Sequence, residues 1–284
     1  ADKVYASVKN HNIYALKPTD FHGLTPKLSV KVGDKVLAGS VIFFDKYNEK
    51  IKFCSPVSGT VKDIVRGEKR RILEVIIESD NEQKYESHSP LNVKNANREQ
   101  LIDYMLSNGV WPFIRQKPYD IIANPSDMPK AIFISAFKSG PLAIDNDFAL
   151  YGMDDLFQSG LDIITKLTNG KTHLNLDGNT NSSKVFSEAK GVEINSFSGP
   201  HPAGNVGVQI HHINPINKGD IVWYLEPQDV IVIARLFNEG KYDVSRIISL
   251  CGSEVSKPRY YRTISGTCVS NLIDDNVENN NNRV

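Results

Sequence analysis

Up to about Pro90, apolar positions recur every second residue in short bursts punctuated by glycine, proline and serine. Residues 28–32 alternate in this way, Gly33-Asp34 turns the chain into Lys35-Val36-Leu37, and Gly39 separates this burst from Val41-Ile42-Phe43-Phe44. Residues 51–54, the turn Ser55-Pro56-Val57-Ser58-Gly59, and residues 60–65 and 72–77 continue the pattern. Successive side chains of a strand face opposite sides, so these bursts predict the hairpins of a small all-β domain. From Asn97 the period lengthens. Asn97 with Gln100 predicts a capping box, Leu101, Ile102, Met105 and Leu106 form the apolar stripe of a helix, and Gly109 ends it. After a loop over 110–130, residues 131–137 read as a buried strand and 154–168 as a helix. Residues 171–176 and 192–197 read as strands around a short helix at 182–190. An extended segment at 221–224, a helix opened by Pro227 and closed by Gly240, and a strand at 246–250 follow. This alternation predicts an α/β domain around a largely parallel sheet. A strand at 260–265 and a helical pattern at 269–274 follow, and the length predicts two domains, at 1–96 and 97–254, with a fragment of a third at 255–284.

Composition narrows the function. The 284 residues carry 33 Lys plus Arg and 33 Asp plus Glu, so no net field holds a nucleic acid or an anionic membrane, and no nucleic-acid partner is expected. The basic run Arg66-Gly67-Glu68-Lys69-Arg70-Arg71 reads as a solvated hairpin tip. Cys54, Cys251 and Cys268 contain no C-x-x-C pair, which argues against a disulfide framework, a zinc site or an iron–sulfur nest and fits a reducing compartment. No apolar run approaches the roughly 20 residues of a membrane-spanning helix, so no transmembrane segment is expected. The chain opens without Met and is expected to be a piece of something longer.

The stretch FSGPHPAGNVGVQIHHI at 197–213 concentrates three histidines. On a strand the adjacent His211 and His212 point to opposite faces, with no carboxylate or thiol at ligand spacing, so no metal site is expected. Gly199, Pro200, His201, Pro202 and Gly204 follow the strand at 192–197. In an α/β sheet, loops at the carboxyl ends of strands line the ligand crevice, which makes these residues candidates for a ligand or partner loop. Trp111, Phe113 and Arg115 are candidates for an apolar wall with a cationic edge, suited to a quinone headgroup or a partner. Catalytic signatures such as G-x-S-x-G, H-E-x-x-H, a Walker loop or G-x-G-x-x-G after a strand are missing, and no catalytic residue is assigned.

The spacing VKVGDKVLAGSVIF followed by SPVSGTV resembles the biotinyl/lipoyl barrel-sandwich domain, in which a hairpin lysine carries the cofactor. Lys46 is the equivalent. Its distance to Ser55-Pro56 is about two residues longer than that pattern, which is expected to disturb the tight turn and leave a scaffold without its swinging arm. More specifically, VKVGDKVLAGSVIFFDK, SPVSGTV, RGEKR, SNGVWPFIRQKPY, FSGPHPAG, ISLCG and a later PR resemble the NqrA family, the A subunits of the bacterial sodium-translocating NADH:quinone reductases, over nearly the whole chain. The resemblance implies a barrel-sandwich domain, a Rossmann-like α/β domain similar to the flavin subunit of respiratory complex I, and the start of a β-grasp-like module. It implies electron transfer from NADH to ubiquinone coupled to sodium export. It implies further that FAD, FMN, riboflavin and iron–sulfur centres are housed in other subunits, some membrane-embedded, and that this chain sits peripherally on the cytoplasmic face of the inner membrane. In the complex I and Rnf relatives a glycine-rich loop cradles the flavin phosphate. Here that place reads Gly109-Val110-Trp111-Pro112-Phe113-Ile114, bulky and short of a donor at Pro112, so neither FMN nor NADH is expected to bind. The other reading is a cofactor-carrying module, either a flavin-binding oxidoreductase subunit of the Rnf or complex I type or a lipoyl-like carrier.

Overall fold

The computed structural model describes residues 1–6, 8, 12–273 and 276–277. Asp274, Asp275 and residues 278–284, which belong to the expected third module, lie outside them. In the N-terminal region Ile13–Leu16, Ile72–Ser79, Gly59–Arg66 and Lys35–Val36 form one sheet, in that order, and Pro26–Leu28, Val41–Asp45 and Asn48–Cys54 form another. Their inward residues, among them Val36, Ile42, Phe43, Phe53, Val61, Val75 and Ile77, bury a shared core. One expectation fails here. Asp45 pairs with Asn48, so Lys46-Tyr47 is a two-residue turn, and the extra length sits further along the strand, where Glu49, Lys50 and Ile51 intervene before Lys52 pairs with Phe44. A bulge absorbs added residues without moving the hairpin end, so the exposed turn at Lys46 is intact.

The central region is built on a six-stranded sheet in the order Ile121–Ile122, Arg115–Lys117, Val222–Leu225, Ala131–Ser135, Lys171–Asp177, Glu193–Phe197. The last four are mutually parallel, and the short pair Arg115–Lys117 and Ile121–Ile122, inside what reads as a loop, adds antiparallel edges. Helix Arg98–Ser107 starts with the expected reciprocal cap: the Asn97 side chain accepts from Gln100 N–H, and the Gln100 side chain accepts from Asn97 N–H. Helices Asp154–Ile164 and Pro227–Glu239 pack together on one face, the latter ending at Gly240 in the left-handed region (φ 66). Residues 206–213 form a helix, Val206–Ile213, so the placement of His211 and His212 on a strand is corrected. Val206, Ile210 and Ile213 recur at helical spacing and pack on Ala131, Phe133 and Val222, while both histidines are exposed.

A third sheet joins distant parts of the chain. Asp2–Ala6 runs parallel to Arg259–Ile264, which pairs antiparallel with Ser245–Leu250. The strand expected to close the α/β sheet therefore belongs to this sheet, with the first strand of the chain. Periodicity identifies a strand but not its partner, which is fixed by contacts across the whole sequence.

Candidate functional site

Two hollows are candidates. The first is an open recess of about 590 Å³ on the carboxyl side of the adjacent strands Ala131–Ser135 and Val222–Leu225. Strand order reverses between them, the usual place for a ligand in such a sheet. Lys117, Lys138, Ser139, His201, Gly204, Tyr224 and Glu226 line it, so His201 and Gly204 fall where the sequence expects a ligand loop, while Gly199, Pro200 and Pro202 lie in the same exposed loop outside the lining. The polar groups of the recess answer one another. Lys138 is ion-paired with Glu226. The Tyr224 hydroxyl donates to Asp120 Oδ1 at 2.6 Å, with Lys117 Nζ 3.4 Å from the same oxygen. Burial and the Asp120 carboxylate hold the Tyr224 phenol above its usual range. Burial pushes the Asp120 carboxyl up, but Tyr224, Lys117 and Arg115 outweigh it and leave a net depression. Gly204 N–H donates to Ser139 Oγ at 2.8 Å, and a Cβ there would lie 2.3 Å from Ser139 N, so only glycine allows the loop this close.

The second hollow, of about 620 Å³, lies where the three regions meet. The N-terminal region supplies Tyr14, Leu16, Phe21 and Phe53, the α/β region Gly109, Pro112, Phe113, Tyr242 and Val244, and the third sheet's flank Gly266, Thr267, Cys268 and Val269. Its wall is mainly aromatic and aliphatic, and its charged lining residues are Lys17, Asp20 and Glu74. The regions are stitched beside it: Ala15 N–H donates to Gly266 O at 2.8 Å, and a Cβ on Gly266 (φ 88) would lie 2.6 Å from Ala15 O. Cys54 sits in the lining as an inert thiol, burial pushing it up to about 12. This cavity is not legible in the sequence, because Tyr14, Phe53, Val244 and Thr267 reach it only through long-range pairing.

The candidates Trp111, Phe113 and Arg115 separate in space. Trp111 is fully buried, donates from Nε1 to Ala123 O at 2.7 Å and meets Trp223 edge to face at 5.4 Å, so it is core. Phe113 lines the junction cavity. Behind it the Arg246 guanidinium lies 5.3 Å from the ring centroid, with Nη2 donating to Asp229 and Nε to Ser265 Oγ. Arg115 folds back to donate to Asp120 O at 2.6 Å. In the loop itself, Val110 N–H donates to Met105 O, Phe113 to Val110 O and Ile114 to Trp111 O, and Pro112 has none to give. A Cβ on Gly109 would lie 2.3 Å from Cys54 Sγ. A phosphate cradle needs convergent free N–H groups, and here the amides of Val110, Phe113 and Ile114 are bonded to carbonyls of the helix and the loop. Among the described residues no group of three or more His, Cys, Asp or Glu is placed to hold a metal, and no helix is long and apolar enough to cross a membrane.

Comparison with known proteins gives these cavities a family context. Sequence profiles of one family match in chain order: the NqrA N-terminal barrel-sandwich hybrid domain over residues 1–80, the NqrA second alpha/beta domain over residues 96–242 and the NQRA C-terminal domain over residues 247–284. The A subunit of the Na(+)-translocating NADH-quinone reductase of Saccharophagus degradans is 37% identical over 273 residues, covering 95% of this chain and 60% of that protein. The subunit of the same name from Marinomonas sp. is 36% identical over 267 residues, covering 93% and 59%. The chain thus spans about 60% of the length of the curated relatives it matches. Among solved structures, a chain of an NAD+-reducing NiFe-hydrogenase in the H2-reduced state overlaps 68% of this chain and 44% of its own at 12% identity and a TM-score of 0.44, too little to carry an argument. With three successive domains of one family matched in order, and the second alone covering more than half of its residues, the chain belongs to the NqrA family.

Proposed function

We propose that the chain is a cofactor-free, peripheral part of a sodium-translocating NADH:quinone oxidoreductase, and that its junction cavity admits the quinone headgroup. In this reading, electrons pass from NADH through flavins and iron–sulfur centres held by other subunits. This chain, on the cytoplasmic face, contributes contacts to membrane-embedded partners and a place for ubiquinone. The observation that carries the reading is the mainly apolar wall of the junction cavity at the loop of Gly109, Pro112 and Phe113. A quinone ring needs apolar faces and a few polar groups at its edge, which such a wall with a charged rim provides. A flavin phosphate needs open N–H groups, and those of Val110, Phe113 and Ile114 are already bonded, to Met105 O in the preceding helix and to Val110 O and Trp111 O in the loop. The barrel-sandwich region serves as scaffold.

The test is purification of the full-length protein from its native host with whatever accompanies it. Membrane subunits should co-purify, and the separated protein should show no flavin absorbance and an unmodified mass at Lys46. One flavin per chain, or a lipoyl or biotinyl mass on Lys46, would overturn the cofactor-free reading in favour of a carrier module.

A further inference from the structure

The hairpin of Gly59–Arg66 and Ile72–Ser79 ends in Arg66-Gly67-Glu68-Lys69-Arg70-Arg71, four cations against one carboxylate. Lys69, Arg70 and Arg71 are exposed. Among the described residues none of the four cations forms an ion pair. Lys69 and Arg70 hold φ values of 52 and 60, a left-handed conformation that disfavours any residue with a side chain. A surface turn of this shape is easiest with glycine, yet here both positions carry long cations.

The strand that follows the tip, Ile72–Ser79, contributes Glu74 and Ile76 to the wall of the junction cavity. Glu74, three positions after Arg71 and so about 10 Å along the strand, lines that cavity with Lys17 and Asp20. Lys17 Nζ is 3.9 Å from Glu74 Oε1, and the turn Pro18–Asp20 packs on strand Ile72–Ser79. An unpaired cationic projection therefore lies about 10 Å along one strand from the lining of an apolar cavity.

We propose that the tip at residues 66–71 is a docking surface for an anionic phospholipid bilayer, which turns the cavity mouth toward the lipid from which an apolar ligand arrives. The sense of this orientation rests on the quinone reading above; the lipid contact itself does not. A bilayer suits the tip better than an acidic protein partner does. The run offers no apolar or aromatic side chain to anchor a packed protein interface, whereas a diffuse field of anionic headgroups attracts each cation without shape complementarity. The neutral net charge of the chain leaves such attraction to local clusters.

The test is co-sedimentation of the chain with phosphatidylcholine vesicles, with and without phosphatidylglycerol, in the absence of quinone. Binding is expected to phosphatidylglycerol vesicles at low salt, with release at high salt. Each of Lys69→Gln, Arg70→Gln and Arg71→Gln should weaken it about fivefold, and the triple variant about a hundredfold. Lys218→Gln, in an exposed turn of the α/β region, should change nothing, and unchanged thermal melting would show the variants folded. In a Cys251→Ser background, a bimane on the exposed Cys268 of the cavity lining should shift to the blue on these vesicles. Equal binding to phosphatidylcholine alone, undiminished binding of the triple variant, a bimane unmoved by vesicles, or capture of polyglutamate in place of vesicles would each overturn the proposal. Because no quinone is present, loss of vesicle binding leaves the cavity reading standing, and loss of quinone binding leaves the lipid contact standing.

Discussion

The recess at the strand-order reversal and the cavity at the three-region junction are of nearly equal volume, about 590 and 620 Å³, and differ in chemistry. The recess occupies the place where an α/β sheet ordinarily binds a ligand, but its charges are paired within it: Lys138 with Glu226, and Tyr224 and Lys117 with Asp120. A charged ligand entering there would have to displace partners already in place. The junction cavity has few polar groups to satisfy and three regions to contribute walls. Position in a fold is therefore a weaker guide to a binding site than the state of its polar groups. The same contrast holds within the loop after helix Arg98–Ser107, where already bonded amides close one kind of chemistry and Phe113 opens another.

This contrast can be broken or sharpened by substitution. The largest effect is expected at Trp111. Trp111→Ala removes a fully buried indole and leaves Ala123 O without its donor, and should cost about 3–5 kcal/mol in denaturant unfolding. A loss below about 1 kcal/mol would return Trp111 to the ligand or partner wall expected from the sequence. Gly109→Ala comes next, since it combines a left-handed backbone (φ 77) with a Cβ driven against Cys54. About 2–4 kcal/mol is expected, and a neutral result would show that the loop can relax away from the cavity. Lys138→Ala, in the recess, breaks a partly exposed ion pair and should move stability by less than about 1 kcal/mol.

The smallest effect is a pH dependence at His173, a buried ring stacked on Phe133 with Glu193 and Lys171 at its edge. Burial lowers its pKa, against the pull of Glu193. A histidine whose folded value lies below its unfolded value of about 6.5 leaves the unfolded chain holding more protons in the interval between them. Its contribution is therefore full above pH 6.5 and is lost as pH falls toward the folded value. Thermal melts across this window should show the decline in the native chain and a flatter profile in His173→Gln. An identical decline in both would remove His173 as its source.

Much of the local structure was legible because its causes are local. The Asn97–Gln100 cap, the Gly240 stop and the hairpin tip at 66–71 depend on neighbouring residues and appear where the letters place them. Helix Val206–Ile213 is carried by Val206, Ile210 and Ile213 at helical spacing, a short signal in a stretch dense with proline and glycine. The pairing of Asp2–Ala6 with Arg259–Ile264 was not legible, since nothing in either segment specifies the other. The site suffered most. Trp111 and Phe113 are two residues apart and equally aromatic, and only the turn Trp111–Phe113 decides that one points into the core and the other into the cavity.

The most direct measurement is equilibrium dialysis of a short-chain ubiquinone analogue against the native chain, Phe113→Ala and Lys138→Ala. One molecule should bind per native chain, about tenfold more weakly to Phe113→Ala and unchanged in Lys138→Ala. Binding that survives Phe113→Ala and falls in Lys138→Ala would move the ligand to the recess and contradict the assignment of the junction cavity.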